Sequence, residues 1–204
     1  MYPIRVLIAD DYALFRHGLA SLLAAESDFE VVGEAADGRE AVEIARELKP
    51  DVIVMDVSMP VMDGLEATRR IKAEIPDAKI VIMTVSNGQT HLLEALESGA
   101  QGYLPQKIEP PALYETLRGM VRGEVPVSRA MGARILEEFD RRAGSPPPVA
   151  LQVSELSERE RVVLEQVARG KTIEEIAATT SIPKTAVKKH LKDVLEKLHV
   201  ENVS

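Results

Sequence analysis

The chain has 204 residues, of which 45% are hydrophobic and 28% charged, and its formal net charge is −8. This length allows one large domain or two small ones, and the composition is typical of a soluble globular protein. The absence of cysteine excludes disulfides, thiolate zinc sites and cysteine nucleophiles. No apolar stretch approaches the roughly 20 residues of a membrane span, and the N-terminus lacks the apolar core of a signal peptide. We therefore expect a cytoplasmic protein without a membrane partner.

The negative charge is unevenly distributed along the chain. Residues 154–204 contain nine Lys or Arg and nine Asp or Glu, so the first 153 residues hold the other 16 basic and 24 acidic residues. An acidic N-terminal part joined to a neutral C-terminal part indicates two domains with different partners.

Apolar runs alternate with amphipathic stretches over roughly the first 120 residues. The runs predict five strands, at 4–9, 30–35, 51–56, 79–84 and 101–104. Helical periodicity and end signals predict five helices, around 14–23, 41–48, 65–72, 89–98 and 111–121. Five strands alternating with five helices predict an α/β domain with a five-stranded, parallel, doubly wound sheet.

The alternation ends at Glu124. A helix is predicted over 128–142, and the following Gly-Ser-Pro-Pro-Pro run at 144–148 cannot continue it. Such a proline run makes a semi-rigid, extended connection. We therefore predict a first domain at 1–123, a linking segment at 124–153 and a second domain at 154–204.

The second domain is predicted to be small and all-α. Ser157 and Glu160 form a capping-box pattern that opens one helix, and Thr172 caps a short second helix. A Ser-Ile-Pro turn at 181–183 precedes a third helix with an apolar stripe. A short helix, a tight turn and a basic helix form a helix-turn-helix pattern.

Basic and polar residues occupy the other face of the third helix, namely Lys184, Thr185, Lys188, Lys189 and Lys192. Such a face is most often simply solvated, but its position after the turn favours contact with double-stranded DNA. Lysines there would neutralise phosphates. Lys188, Lys189 and Lys192 are best placed for the major groove, where a lysine can donate to guanine.

Acidic residues follow two of the predicted buried strands. Asp56 ends the run Val52–Met55, and Asp10 and Asp11 end the first strand in the same way. Each is either a turn cap or a functional acid at the carboxyl edge of the sheet, where ligands bind in this class of fold. Crowded carboxylates repel unless a cation intervenes, and Mg²⁺ suits them. The alternative is a solvated acidic rim without a ligand.

Two further strands end at the same predicted edge, the fourth at Thr84 and the fifth within Gly102–Leu104. Carboxylates, a metal ion, a hydroxyl group and helix N-termini together suit a phosphoryl group that is received by a carboxylate.

Four segments resemble the receiver domain of two-component response regulators, and the likeness covers residues 3 to about 123. They are Ile8–Asp11, Met55–Gly64, Met83–Thr84 and Ser98–Leu104. The resemblance implies that Asp56 is the phosphoacceptor and that a sensor histidine kinase supplies the phosphoryl group.

The resemblance also implies the metal ligands and the switch residues. Asp11, Asp56 and the backbone carbonyl of Ser58 would bind Mg²⁺, and Asp10 would act mainly through water. Thr84 and Tyr103 fall on the switch positions, whose side chains shift when the phosphoryl group arrives.

One position departs from the receiver pattern. Gln106 stands where the family has a phosphate-pairing lysine, with Pro105 before it and Lys107 after it. Glutamine can donate a hydrogen bond, but a charge-assisted bond is roughly twice as strong. Either Pro105 shifts the strand end so that Lys107 takes over, or the site handles phosphate weakly or responds to another signal.

The second domain resembles the LuxR-type helix-turn-helix, so the whole chain is similar to the NarL/FixJ subfamily of transcriptional regulators. The matching segments are Leu156–Leu164, Gly170, Glu175–Ala177, Val187–His190 and Lys197–Val200. Ala186 and His199 depart from the usual threonine and glycine. The family adds a fourth helix after this point, so we expect a domain that lacks its last helix.

The expected function is therefore a DNA-binding response regulator, not an enzyme, in which the phosphoryl group on Asp56 controls DNA binding or homodimerisation. A phosphohydrolase with Asp56 as nucleophile is disfavoured, because Ser58 stands where a second carboxylate would be needed. A regulator independent of phosphorylation, with the first domain used for dimerisation or protein docking, is the main alternative because of Gln106.

Overall fold

The computed structural model describes residues 2–84, 91–126, 128–143 and 156–199. Its contacts divide the chain into two units. The N-terminal unit comprises Met1–Gly88 and Ser98–Pro126, and the C-terminal unit comprises Gln89–Glu97 and Val127–Ser204. The proline run predicted as a linker lies outside the described residues. No helix in the described ranges is long and apolar enough to cross a membrane.

The N-terminal unit contains a sheet of five parallel strands in the order β2-β1-β3-β4-β5. The strands are β1 Ile4–Ala9, β2 Phe29–Ala35, β3 Val52–Asp56, β4 Ile80–Thr84 and β5 Gly102–Pro105. The helices of this unit are α1 Ala13–Ala24, α2 Gly38–Leu48, α3 Gly64–Glu74 and α5 Pro110–Val121. The predicted α/β fold class is confirmed.

The two middle strands β3 and β4 are buried along their whole length. This is the environment that continuous apolar runs predict in a parallel sheet. Leu23 of α1 and Leu117 of α5 are fully buried in the same core cluster as Val6 and Val54. Because β1 pairs directly with β3, the residues that follow these strands lie side by side at one edge of the sheet.

The backbone after β3 approaches two glycines, Gly64 and Gly38, too closely for any larger residue. A Cβ atom on Gly64, the first residue of α3, would lie 1.9 Å from the carbonyl oxygen of Asp56. A Cβ atom on Gly38 would lie 2.5 Å from the carbonyl oxygen of Met62. Val61 in this loop has a φ of 65°, which is a strained conformation for a β-branched residue. The backbone after Asp56 is therefore closely constrained.

The outer strands β2 and β5 are irregular or short. β5 has four residues and ends at Pro105, which has no backbone N–H to donate. The register between β1 and β2 shifts after Val6, so that Val32 is left out of the ladder between the pairs Val6↔Val31 and Leu7↔Gly33. One edge of the sheet thus has a register shift, and the other is short and ends at a proline.

The described part of the C-terminal unit is helical. Its helices are α4 Leu92–Glu97, α6 Arg129–Ala143, α7 Glu158–Ala168, α8 Ile173–Thr180 and α9 Lys184–His199. The three helices predicted from residue 157 onward are present as α7, α8 and α9. The predicted helix at 89–98 is present as α4, and residues 89 and 90 lie outside the described ranges.

Two capping boxes and a left-handed residue define the helix ends of this unit. Glu160 N–H donates to Ser157 Oγ at 3.3 Å, and Ser157 N–H donates to Glu160 Oε2 at 2.6 Å. Thr172 and Glu175 form the same arrangement at the start of α8. Ser181 ends α8 with a φ of 56°, which makes the tight turn into α9.

Candidate functional site

The strand order places two carboxylates at one edge of the sheet. Asp10 follows β1 directly, and Asp56 is the last residue of the adjacent strand β3. Their exposed fractions are only 3% and 6%, whereas Asp11 is exposed. The edge thus presents two buried carboxylates and one that faces solvent.

Asp56 has one satisfied and one unsatisfied carboxylate oxygen. Oδ2 accepts a hydrogen bond from the N–H of Ser58 at 3.0 Å. Oδ1 is buried and has no hydrogen-bond partner among the residues that the structure describes. Burial, and then the charge of Asp10, raise the pKa of Asp56 from 3.8 to about 6. A buried polar atom without a partner is rare in proteins, so Oδ1 is suited to a ligand.

Asp10 is held by two donors. Its Oδ1 accepts from the N–H of Tyr12 at 2.8 Å, and its Oδ2 accepts from Nε2 of Gln106 at 3.2 Å. Burial is the main cause of the raised pKa of Asp10; the Tyr12 hydrogen bond and Arg16 oppose the shift, and Asp11 adds to it. Hydrogen bonds therefore orient the Asp10 carboxylate, while its burial disfavours the ionised form.

The sequence did not predict two residues near Asp10, namely Arg16 and Glu34. Arg16 donates from Nη1 to the carbonyl oxygen of Asp10 at 2.6 Å and from Nε to Glu34 Oε2 at 3.2 Å. These bonds place a guanidinium beside the carboxylates. Nothing in the sequence distinguishes Arg16 from a surface arginine of an amphipathic helix.

The donors at this edge fit a small, hard cation. Among the described residues, no group of three or more His, Cys, Asp or Glu side chains is arranged to hold a metal ion. Mg²⁺ does not need such a group, because one or two carboxylates, another oxygen donor and several waters are enough. Oδ1 of Asp56, which has no hydrogen-bond partner among the described residues, fits a bound cation, as do the pKa values of Asp56 and Asp10, which are raised mainly by burial and further by neighbouring carboxylates.

The predicted switch residues come together beside this edge. Thr84 ends β4 and is buried, and Tyr103 pairs with Ile82 in the neighbouring strand β5. The two side chains are hydrogen-bonded to each other. Burial raises the pKa of Tyr103, the hydrogen bond opposes the shift, and the negative charge of Asp56 adds to it. The negative charge of Asp56 therefore reaches Tyr103, which is hydrogen-bonded to Thr84.

Gln106 and Lys107, the two candidates for the role of the family's lysine, lie in different environments. The side-chain amide of Gln106 reaches Asp10, and the backbone N–H of Gln106 donates to the carbonyl oxygen of Thr84 at 2.9 Å. Lys107 is exposed. Gln106 thus places a neutral donor beside Asp10, and the exposed Lys107 has no described contact with that carboxylate.

An open apolar groove of about 370 Å³ adjoins the site between α1 and α5. Gln106 and Met83 line its end near the carboxylates. Leu14 lines the groove and is 72% exposed, and Tyr12 at the start of α1 is 63% exposed. The groove therefore exposes apolar side chains to solvent.

The amphipathic character predicted for α9 is present. Val187, Leu191, Val194 and Leu195 are buried on one face. Four of the five predicted DNA-binding residues are exposed and Lys188 is half-buried; the exposed four are Lys184, Thr185, Lys189 and Lys192. Two of these lysines form ion pairs, Lys184 with Glu174 at 2.8 Å and Lys192 with Glu196 at 3.6 Å.

Comparison with known protein families matches both units. Residues 6–118 match the response regulator receiver domain, and residues 154–204 match the luxR family of bacterial regulatory proteins. The chain is 38% identical to the transcriptional regulatory protein LiaR of Bacillus subtilis over 199 residues, which cover 98% of this chain and 92% of that protein. It is also 38% identical to the uncharacterized transcriptional regulatory protein YhcZ of the same organism, over 97% of this chain and 90% of that one.

Solved structures give the same result. A LuxR-family two-component response regulator from Aurantimonas sp. is 34% identical with a TM-score of 0.59, covering 67% of this chain and 97% of that one. The response regulator ChrA of a haem-sensing two-component system is 29% identical with a TM-score of 0.56, and the match covers 97% of this chain and 90% of that one. The chain belongs to the two-component response regulators that join a receiver domain to a LuxR-type DNA-binding domain. Its relatives are regulators of transcription.

Proposed function

We propose that Asp56 accepts a phosphoryl group from a sensor histidine kinase with the help of Mg²⁺, and that this modification controls DNA binding or homodimerisation. The observation that carries the proposal is Oδ1 of Asp56, which is buried at the end of a dry strand and has no hydrogen-bond partner among the described residues. An oxygen in this state is desolvated and already positioned, which favours its use as a nucleophile.

The carboxylate is ionised for most of the molecules at neutral pH, since its pKa is about 6. In the transfer, an oxygen of Asp56 forms a bond to phosphorus, the bond from phosphorus to the kinase imidazole breaks, and the nitrogen retains the electron pair. A bound Mg²⁺ supplies charge neutralisation at the carboxylates and phosphoryl oxygens. Asp11, Asp56 and the Ser58 carbonyl would hold it, and Asp10 would act mainly through water.

The hydrogen bond between Thr84 and Tyr103 supports a readout of the phosphoryl group. New phosphoryl oxygens on Asp56 would accept from the Thr84 hydroxyl, because charge-assisted hydrogen bonds are stronger than neutral ones. Tyr103 would then lose that partner and change position. A modification can shift such a two-state equilibrium only by its different interaction with the two states.

The output surface that we propose is the exposed face of α9. Lys188, Lys189 and Lys192 would enter the major groove of double-stranded DNA, and Lys184 and Thr185 would lie nearer its backbone. The groove between α1 and α5 is a surface for the kinase beside the acceptor. We place the protein in the bacterial cytoplasm, where its DNA target is found.

Mass spectrometry after incubation with acetyl phosphate and Mg²⁺ tests the acceptor. We expect one phosphoryl adduct on the natural chain, none on Asp56→Asn, and one on Asp77→Asn, which removes an exposed carboxylate just before β4, at the opposite edge of the sheet from Asp56. An adduct that persists in the Asp56→Asn variant would assign the acceptor elsewhere.

A second candidate function is regulation independent of phosphorylation, with the receiver used for dimerisation or docking. It is favoured by the neutral amide of Gln106, which lies beside Asp10 where the family has a lysine. The discriminating measurement is DNA affinity and oligomeric state of the Asp56→Asn variant against the acetyl-phosphate-treated natural chain. Identical values in both would support this second function.

A further inference from the structure

An ion pair joins the two helices of the helix-turn-helix. Nζ of Lys184, the first residue of α9, lies 2.8 Å from Oε1 of Glu174 in the first turn of α8. The exposed fractions of the two side chains are 57% and 63%. The pair therefore lies on the surface that DNA is expected to approach.

Glu174 is not the residue that forms the capping box of α8. The neighbouring Glu175 performs that task, since its Oε2 accepts from the N–H of Thr172 at 2.8 Å. The hydrogen bond from Lys184 is the main cause of a lowered pKa for Glu174; a hydrogen bond from its own backbone N–H comes next, and Lys188 contributes a smaller Coulombic effect. The Glu174 carboxylate is thus directed toward the basic start of α9.

This carboxylate and a DNA phosphate are alternative partners for Lys184. Both are anions, and two anions close to one ammonium group repel each other. A lysine that already has a protein counter-ion also releases fewer counter-ions from DNA when it binds, so it adds less to affinity. A phosphate contact through Lys184 therefore competes with its ion pair to Glu174.

We propose that Glu174 limits the DNA affinity of this protein by competing with the phosphate backbone for Lys184. The inference rests on the proposed DNA-binding face of α9 and adds a residue that sets the strength of that contact. It concerns the backbone and not the bases, so it applies to any duplex sequence.

The test measures binding of the full chain to a fluorescent, mixed-sequence DNA duplex between about 50 and 200 mM salt. Glu174→Gln should tighten binding roughly three- to tenfold at the low-salt end and steepen the salt dependence by about one unit of slope. The matched control is Glu165→Gln, which removes the same charge from α7, where Glu165 pairs with Arg169 at 3.8 Å. It should change affinity less than twofold, since the partner of Glu165 is Arg169 and not a lysine of α9.

A double-mutant cycle identifies Lys184 as the residue concerned. Lys184→Met should weaken binding only slightly in the natural chain and several-fold in the Glu174→Gln background. Equal effects of Lys184→Met in both backgrounds, or equal effects of Glu174→Gln and Glu165→Gln, would overturn the inference while DNA binding stands. If the natural chain does not bind, or if Lys189→Met leaves its affinity unchanged, the proposed DNA-binding face itself is wrong and the inference falls with it.

Discussion

At Asp56 the features that suit a phosphoacceptor reduce the stability of the folded chain. Burial and Asp10 raise its pKa from 3.8 to about 6, so the folded state binds more protons than the unfolded state between these values. Stability from this group is therefore fully present below about pH 4 and is lost as the pH rises through 6. A cation at the site would offset the loss.

The change Asp56→Asn should then stabilise the N-terminal unit when no divalent cation is present. We expect a gain of about 1 to 2 kcal/mol in the free energy of unfolding at pH 7, allowing for solvent screening, and little gain at pH 4. Urea unfolding at the two pH values measures it, with Asp77→Asn as the control. A gain of the same size at both pH values would show that charge is not the cause.

Gln106 should limit the rate of phosphorylation. Because its amide reaches Asp10 and a charged donor binds phosphate more strongly than a neutral one, Gln106→Lys should speed autophosphorylation by acetyl phosphate several-fold. Lys107→Ala should leave the rate unchanged, since Lys107 is exposed. The rate of adduct formation is the measurement, and a slower Lys107→Ala variant would transfer the role to Lys107.

The sequence predicted those site residues whose position follows from the order of the strands. It did not predict the contacts between side chains that are far apart in the sequence. Asp10 and Asp56 were expected to meet because parallel strands end at one edge. The bond from Gln106 to Asp10 joins residues 96 positions apart, and the choice between Gln106 and Lys107 could not be made from spacing. The cluster of Arg16 and Glu34 has no sequence signal.

At the scale of elements, α6 is the helix predicted over 128–142, but its packing partner was not predicted. Arg129 Nε donates to the carbonyl oxygen of Ala168 at 3.2 Å, and Arg161 of α7 pairs with Asp140 at 2.8 Å. A Cβ atom on Gly132 would lie 2.8 Å from Cγ1 of Val167. Helix α6 therefore packs closely on α7, and glycine permits the approach.

Gly132→Ala should destabilise the C-terminal unit by about 1 to 3 kcal/mol through overpacking, although alanine favours a helix over glycine. Gly18→Ala in α1 is the matched control, because nothing lies within 4 Å of its Cβ position, and it should gain about 0.5 to 1 kcal/mol. Chemical denaturation measures both. A stabilising Gly132→Ala would mean that α6 moves away from α7 at no cost.

Lys197 joins the end of α9 to the capping box of α7. Its Nζ lies 2.6 Å from Oε2 of Glu160, whose side chain is 6% exposed. Burial raises the pKa of Glu160, but hydrogen bonds from Lys197 and Ser157 outweigh it and lower the pKa overall. Stability from this group is therefore present above the unfolded pKa and is lost as the pH falls through the lower, folded pKa.

Lys197→Met should cost about 2 kcal/mol at pH 7, because it leaves a buried carboxylate without its cation, and the cost should shrink in acid. Lys192→Met is the control, since its exposed pair with Glu196 should contribute less than about 0.5 kcal/mol. Unfolding of both variants at pH 7 and below pH 4 gives the comparison. Equal costs for the two lysines would contradict the buried-pair argument.

The elements themselves were largely predictable because each carries a local signal. Buried strands such as Val52–Asp56 are continuous apolar runs, and the capping boxes at Ser157 and Thr172 mark helix starts. The packing of α6 was not predictable, since the face of Met131, Ile135 and Phe139 suits burial against any partner. Sequence periodicity indicates that a helix has a buried face and not what covers it.

At the scale of the whole molecule, we expect the two units to respond to different perturbations. Scanning calorimetry of the full chain should show Mg²⁺ raising the transition of the N-terminal unit, because ligand binding to the folded state stabilises it. Lys197→Met should lower the other transition. A single transition that both perturbations move would contradict independent units.

The irregular outer strands have a consequence for self-association. An open strand edge is a template for another chain, and proline, charge and bulges are the usual means of blocking it. Here Pro105 ends one edge strand, while the other has a register shift and carries Glu30 and Glu34. We therefore expect this sheet neither to recruit a strand from a second copy nor to seed fibrils, so copies of the chain should meet through their helices.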